Sequence, residues 1–285
     1  MGVLFVVATP IGNLEDITLR ALRVLREVQL IAAEDTRTTA KLLARYDIHT
    51  SMVSFFEHNE LVKQGEILRD LETKDVALVS EAGMPAISDP GYRLVQAAIA
   101  ANVPVVVVPG PSAILAALAV SGLPTDSFVF LGFLPRRRVA RQQLLASLEA
   151  EPRTIVCFEA PHRLVDALAD IRQVLGDRQI VLASDMTKMF EEVWRGPVSA
   201  GWAHYQQTPP RGEFTLVLAG APERGETRWD EQRVRQALQE LLASGVSRRD
   251  ASAQVAKSSH WPKRDVYSLA VQAAGDNATH GGQNA

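Results

Sequence analysis

The sequence predicts an α/β protein: a doubly wound, mostly parallel sheet in the first half, a mixed α+β layer after it, and a small helical unit at the end. Three observations carry this. Short β-branched apolar runs alternate with helical segments up to about residue 120, the pattern of parallel βαβ units. The turn Gly122-Leu123-Pro124-Thr125-Asp126 then marks a change to strands with fewer helices between them. From Trp229 onward helical spacing replaces strands altogether. The expected divisions are 1–122, 123–225, 226–274 and a tail, 275–285.

Taken in order, strands are expected at Leu4–Ala8, Leu30–Ala33, Met52–Phe55, Val76–Ser80 and Val103–Val108, with helices at 16–27, 36–46, 60–72, 91–101 and 112–120. The run Val103-Pro104-Val105-Val106-Val107-Val108 lacks polar alternation, as expected of a strand covered on both faces. In the second region strands are expected at Phe128–Phe133, Thr154–Phe158, Ile180–Ala183 and Phe214–Ala219, with helices near 136–149 and 163–175. Arg233, Ala237, Leu238, Leu241 and Leu242 define an amphipathic helix in the third region. Ser247 suits the N-cap of a second, Arg248 to Ser258. Pro262 suits the first turn of a third, ending near Ala274, and the small polar residues Gly275 to Ala285 read as disordered.

With 285 residues, 47% hydrophobic and 22% charged, the chain has the composition of an ordinary globular protein of about two domains. A net charge of −3 argues against binding nucleic acid over the whole surface, so RNA contact requires local patches. The single cysteine, Cys157, lies in the apolar run Ile155-Val156-Cys157-Phe158 and reads as buried filler; it excludes an internal disulfide framework. No apolar run approaches the roughly 18 residues of a membrane span, and Met1 leads into a strand without a basic leader, so no membrane role and a cytoplasmic location are expected.

The most informative stretch is Val79-Ser80-Glu81-Ala82-Gly83-Met84-Pro85-Ala86-Ile87-Ser88-Asp89-Pro90-Gly91. A strand ends there in turn-forming residues before helical spacing resumes at Tyr92, Val95 and Ile99. A plain connector needs only a few residues, and a longer one built on prolines and glycines at a strand's carboxyl end reads as a ligand loop. Val108-Pro109-Gly110-Pro111-Ser112-Ala113 repeats the arrangement, with Ser112 placed to cap a helix or reach a ligand. Thr9-Pro10-Ile11-Gly12 turns after the first strand, without the G-x-G-x-x-G of a dinucleotide loop.

Together with Ala33-Glu34-Asp35-Thr36-Arg37 and Glu159-Ala160-Pro161-His162-Arg163, these segments resemble, in the same order, the signatures of the tetrapyrrole methylase superfamily, and within it the ribosomal RNA small-subunit methyltransferase I branch. The resemblance covers about residues 4–220. It implies S-adenosylmethionine as cofactor, held between the first two domains by Pro10, Gly83, Met84, Pro85, Ile87, Ser88, Ser112, Ala113, Phe158, Ser184 and Phe214. No metal is expected, because the sulfonium already activates the methyl group. The reaction it implies is 2′-O-methylation of a cytidine in the decoding region of 16S ribosomal RNA, within the small subunit, by a homodimer. Most of the rate then comes from alignment of the reactants. A base must still take the hydroxyl proton; Asp35, Glu57, His58 and Lys188 are candidates among which the sequence does not choose.

RNA contacts are expected from Arg37, from Arg136, Arg137, Arg138 and Arg141, and from Arg248, Arg249, Lys263 and Arg264. Cations opening a helix oppose its dipole, so the cluster at 136–141 is not explained by local stability, whereas phosphate binding would explain it. A solvated face is the alternative there, a structural ion pair at Glu34–Arg37, and a helix cap by Asn59 at Glu57–Glu60. Three positions depart from the family pattern: Met84 and Ser184 stand where threonine and arginine are usual, and Ala160 where serine is. The rivals are a precorrin-type small-molecule methylase, disfavoured by the basic clusters, and a non-catalytic RNA-binding assembly factor, disfavoured by the intact loops.

Overall fold

A computed structural model describes residues 1–222, 229–259 and 261–279, which fall into two compact units, Met1–Ala221 and Pro222–Ala285. The first unit begins with β1 (Leu4–Val7), α1 (Leu19–Glu27), β2 (Leu30–Ala33), α2 (Thr36–Arg45) and β3 (Met52–Ser54). It continues with α3 (Glu60–Asp70), β4 (Val76–Val79), α4 (Tyr92–Ala100), β5 (Val105–Val108) and α5 (Ala113–Ser121). The five strands form one sheet in the order β3-β2-β4-β1-β5, parallel throughout. Ala21, Leu25, Leu42 and Leu43 from α1 and α2 cover one face; Ile67, Leu94 and Ala98 from α3 and α4, with Leu71 just past α3, cover the other. Side-chain caps fix where several helices begin: Thr18 accepts from Ala21 N, Asp35 from Arg37 N and Thr38 N, and Ser112 from Leu115 N.

One strand departs from expectation. β5 is an edge strand rather than a strand covered on both faces, and Val107 is 53% exposed. The reason is tertiary. α5 does not fold back over β5; Ala117 and Leu118 pack instead on Val156, Val181 and Val217 of the second sheet.

That sheet comprises β6 (Phe128–Phe133), β7 (Thr154–Glu159), β8 (Gln179–Ser184), β9 (Glu192–Pro197) and β10 (Phe214–Leu218), ordered β6-β7-β10-β8-β9. Only the β6–β7 pair is parallel, so the sheet is mixed. α6 (Arg138–Ala146), α7 (Leu164–Leu175) and α8 (Val198–Gln207) cover its far face, where Leu145, Leu168, Ile171, Val198 and Tyr205 enclose Ile155, Cys157 and Leu216. β9 and α8 were not legible in the sequence. The Gly196-Pro197 ending argues against a strand, and Gly201 interrupts helical spacing. Gly201 is there because Trp194 lies against the helix: a Cβ on it would stand 2.9 Å from the indole.

The second unit holds α9 (Glu231–Ala243), α10 (Arg248–Ser259) and α11 (Lys263–Thr279) around Val234, Leu238, Ala251, Val255 and Val266. Trp261 Nε1 donates to Trp229 O at 2.6 Å, and the Arg233 guanidinium lies 4.4 Å from the Trp229 ring centre. α11 runs to Thr279, past the expected end at Ala274. Of the divisions read from sequence, 223–228 and the last part of the tail, 280–285, lie outside the described residues.

Candidate active site

Three loops meet at the carboxyl edge of the first sheet. Thr9 and Gly83 exchange backbone hydrogen bonds of 2.8 and 3.0 Å, the Thr9 hydroxyl donates to Ser80 O at 3.2 Å, and Ala8 N donates to Val108 O at 3.1 Å. Gly83 has φ 79°, and a Cβ on it would approach Ile11 Cγ2 to 3.4 Å and Pro111 O to 3.8 Å. The loop after β4 is strained at Ala86 and Ser88, non-glycine residues with φ 68° and 64°. Left-handed backbone of this kind costs on the order of 1–3 kcal/mol per residue and persists where the surroundings over-determine it. Pro10, Pro85 and Gly83 are buried, Met84, Ser112 and Ala113 half-buried, and Ile87 and Ser88 exposed.

The second sheet presents its own edge to these loops. β7 and β8 both run antiparallel to β10, and β6 parallel to β7, so β6, β7 and β8 end on one side. The loop after β8 reaches the β1 loop: Asn13 N donates to Thr187 Oγ1 at 3.0 Å, and a Cβ on Gly12 would stand 2.5 Å from Lys188 Cγ. Near the end of β6, a Cβ on Gly132 would lie 3.1 Å from Ser88 Oγ. Two carboxyl edges therefore oppose each other. Between them the Phe158 ring packs with Phe130 at 5.2 Å and Phe133 at 5.4 Å, and Phe133 is left 57% exposed.

Phe158 alternates with Cys157 and so shares the face of Val156, on which Ile11 packs. Phe214 and Ser184 lie on the opposite face. Phe214 is 2% exposed, with its ring 5.5 Å from that of Tyr205 in the core under α8, and Ser184 stands beside it in register. Their side chains are corrected out of the cofactor set, because the strand alternation turns them away from the loops.

The carboxylates at the β2 and β4 ends differ sharply. Asp35 caps α2 and takes a 3.1 Å ion pair from Arg37; those hydrogen bonds hold it below the usual carboxylate range. This is the structural pairing left open above, and it occupies Asp35. Glu34 is pushed up by burial, against a hydrogen bond from Glu81 N, with the Glu81 and Asp35 charges adding to the rise. Burial, then the charge of Glu34, pushes Asp89 up to about 7 despite a hydrogen bond with Ser80. In the sequence Glu34 belongs to a polar cluster read as a candidate substrate site and Asp89 only to the loop motif; what sets both apart is burial, which the sequence does not display.

The other base candidates are differently placed. Glu57 and His58 are exposed in the turn after β3, the outermost strand, with the imidazole edge-on to Phe56 at 6.2 Å. Asn59 closes that turn, accepting from Phe56 N and donating to Ser54 O, and makes no cap of α3. Lys188 bonds Asp185 at 2.8 Å and Glu213 at 3.2 Å. Burial acts downward on its ammonium, but the two carboxylates outweigh it and raise its pKa. An ammonium held in the charged form is a poor proton acceptor, which corrects Lys188 as a base.

One of the four clustered arginines proves structural, and a second is paired to the same carboxylate from the surface, its side chain 68% exposed. Arg141 is 4% exposed and binds Asp170 of α7 at 2.8 and 2.6 Å, and Arg138 binds the same carboxylate at 3.1 Å. Burial acts upward on Asp170, but hydrogen bonds from Arg141, Gln142 and Arg138 hold it below the usual range. Arg141 is thus corrected as a phosphate contact: a buried carboxylate has claimed it. Arg136, Arg137 and the paired Arg138 are exposed, as are Arg248, Arg249, Lys263 and Arg264 in the second unit. Cys157 is buried and its thiol is pushed up to about 12 by burial, an inert filler. Among the described residues no group of three or more His, Cys, Asp or Glu is placed to hold a metal ion, and no helix is long and apolar enough to cross a membrane.

Residues 3–200 match the family described as Tetrapyrrole (Corrin/Porphyrin) Methylases. The ribosomal RNA small subunit methyltransferase I of Synechocystis sp. is 46% identical over 278 residues, covering 97% of this chain and 100% of that protein. The protein of the same name from Thermotoga maritima is 52% identical over 221 residues, 77% of this chain and 99% of the relative. Among solved structures, uroporphyrin-III C-methyltransferase from Thermus thermophilus complexed with S-adenosylhomocysteine has the same fold, with a TM-score of 0.55 at 20% identity over 76% of this chain and 97% of that one. Diphthine synthase gives 0.58 at 15% identity over 77% and 90%. The chain belongs to the tetrapyrrole methylase family. Its relatives at 46% and 52% identity place it in the branch of ribosomal RNA small subunit methyltransferases I.

Proposed function

We propose that this protein transfers a methyl group from S-adenosylmethionine to the ribose 2′-hydroxyl of a cytidine in the decoding region of 16S ribosomal RNA, within the assembled small subunit. It is an S-adenosylmethionine-dependent ribosomal RNA methyltransferase; the cytidine, the 2′-oxygen and the decoding region are the finer part of the reading. The observation that carries it is the pair of facing loop edges in a chain whose relatives act on small-subunit ribosomal RNA.

The cleft fits the cofactor's chemistry. Backbone donors and acceptors at 9–12, 83–88 and 110–113 suit an amino acid and a ribose, and the wall of Phe158 and Phe133 suits an adenine. Pro10, Gly83, Met84, Pro85, Ile87, Ser88, Ser112, Ala113 and Phe158 hold the donor, whose sulfonium makes its methyl carbon electrophilic. Bound there, S-adenosylmethionine would supply an electrophilic methyl group to the ribose oxygen by in-line displacement and leave as S-adenosylhomocysteine, while the hydroxyl proton would pass to the protein. Asp89 takes that proton. It lies in the cofactor loop, is anchored by Ser80, and changes charge near neutral pH, where a general base is most effective.

Arg37, Arg136, Arg137 and, in the second unit, Arg248, Arg249, Lys263 and Arg264 bind RNA phosphates. The protein works in the cytoplasm, with the ribosome, as a homodimer. The exposed apolar residues Val107 on edge strand β5 and Leu115 and Val120 on α5 supply the self-association face. Mass spectrometry of ribosomal RNA from a strain lacking the protein tests the reading. The expected result is loss of one 2′-O-methylcytidine from the decoding region, restored by the purified protein with S-adenosylmethionine and small subunits. Intact methylation in that strain would overturn it.

A further inference from the structure

The outer face of α2 and the tip of the β8–β9 loop carry features that the methyl-donor site does not use. Arg37, Lys41 and Arg45 follow one another at four-residue spacing and are all exposed, so they form one cationic stripe along the helix. The stripe starts at the carboxyl edge of β2, where the acidic groups cluster, and rises about 12 Å to Arg45. Arg37 keeps its pairing with Asp35 while its side chain is 89% exposed.

At its far end the stripe meets an open groove of about 710 Å³ whose lining includes Asn13, Leu14, Arg45, Thr187, Lys188 and Met189. Tyr46 ties the end of α2 to this wall, donating to Leu14 O at 2.7 Å, while the Arg45 guanidinium lies 5.7 Å from its ring centre. Met189, in the lining, is 91% exposed, and Phe190, next to it in the chain, is 81% exposed. This tip is not a slack loop. Thr187 Oγ1 accepts from Asn13 N, Thr187 N donates to Glu191 at 2.6 Å, and Lys188 is held by Asp185 and Glu213. Asp185 and Thr187 both adopt left-handed backbone, with φ 47° and 66°. The loop is braced and strained, and it holds two large apolar side chains in solvent.

The charges sort the contacts. Glu15 also lines the groove, and Lys188 is neutralised by two carboxylates, so the groove suits uncharged base edges and faces. The phosphates go to the stripe on α2. We propose that this surface grips single-stranded ribosomal RNA flanking the target nucleotide: Arg37, Lys41 and Arg45 take successive phosphates, and Phe190, with Met189 beside it, stacks on a neighbouring unpaired base. The inference rests on the ribosomal RNA reading above and adds a surface to it. An aromatic platform beside a cationic track is how unpaired RNA is held without reading every base.

The test uses the full chain, a single-stranded RNA oligonucleotide of decoding-region sequence and unmethylated small subunits, with S-adenosylmethionine affinity and thermal melting as controls. In the Lys41→Ser/Arg45→Ser variant the slope of log affinity against log salt should fall by about 1.4, at roughly 0.7 per single-strand phosphate contact. Phe190→Ala should weaken RNA binding about 5- to 150-fold, and Phe190→Trp should restore it. All three variants should bind S-adenosylmethionine and melt as the parent does. Unchanged RNA affinity and slope in variants of a parent that methylates subunits would overturn the surface and leave the function intact. Loss of RNA binding accompanied by lost cofactor binding or a lowered melting temperature would also overturn it, by showing a structural role. A parent that neither binds RNA nor methylates subunits would bring down the function, and this surface with it.

Discussion

α2 and α6 invite comparison. Each follows the carboxyl end of a strand and each carries several cations, yet the two sets of side chains have opposite fates. On α6, Arg141 turns inward to Asp170 and Arg138 joins it, so the apparent phosphate cluster is half a structural ion network. On α2, Arg37, Lys41 and Arg45 all face solvent, and the cap carboxylate Asp35 holds only the first. The difference lies in what packs against each helix. α7 brings a carboxylate that is 1% exposed to α6, and a buried carboxylate must be paired. Leu42 and Leu43 bury the inner side of α2 in the apolar core, and its outer side is left to water. Positive charge in the sequence therefore did not distinguish a clamp from a contact surface.

The largest expected effect strikes the clamp. Asp170→Ala leaves the buried Arg141 charge without its carboxylate, with only the 3.5 Å bond to Pro135 O remaining, which costs about 3–5 kcal/mol. At roughly 2–4 °C per kcal/mol for a protein of this size class, the melting temperature should drop by about 6–20 °C. The two-site α2 variant, Lys41→Ser/Arg45→Ser, should melt within about 2 °C of the parent. Equal melting of the two variants would erase the contrast between the helices.

The same contrast between partnered and buried charge separates Asp35 from Asp89, and Asp89→Asn sharpens it. As the proton acceptor, Asp89 should contribute about a hundredfold to the rate. Parental methylation should rise with pH and level off above about 7, the value to which burial pushes this carboxyl, and the variant should lose both the rise and the rate. Stability should move the opposite way. A carboxyl raised from 3.8 to about 7 favours the folded state when protonated, so its contribution is present in acid and is lost as pH climbs through that window. Asp89→Asn should therefore match the parent near pH 4 and melt higher at pH 8. Solvent screening of a partly exposed group keeps the gain to roughly 1 kcal/mol. A pH profile shared by parent and variant would remove Asp89 from the chemistry.

The smallest effect concerns the two arginines that α7 leaves free to meet solvent. Arg136→Ser/Arg137→Ser should leave melting unchanged and lower the salt slope of RNA binding by at most about 1.4, two contacts' worth. A melting shift of several degrees would show that these residues too belong to the clamp, making α6 structural throughout.

The sequence by itself determined the parallel first sheet, the three loops at its carboxyl edge and the motifs of the family. Those depend on local patterns: β-branched runs, turn residues and caps such as Thr18, Asp35 and Ser112, each acting within a few residues of its own position. Tertiary structure decided the rest. It turned β5 into an edge by sending α5 to the second sheet, made a strand of Glu192–Pro197, and turned Phe214 and Ser184 away from the loops. It also half-buried Asp89 near the charge of Glu34, brought Asp170 across to Arg141, and set Met189 and Arg45 in the lining of one groove. The physical reason is common to all of these: burial, desolvation and ion pairing depend on neighbours many residues away, and only packing brings those neighbours together.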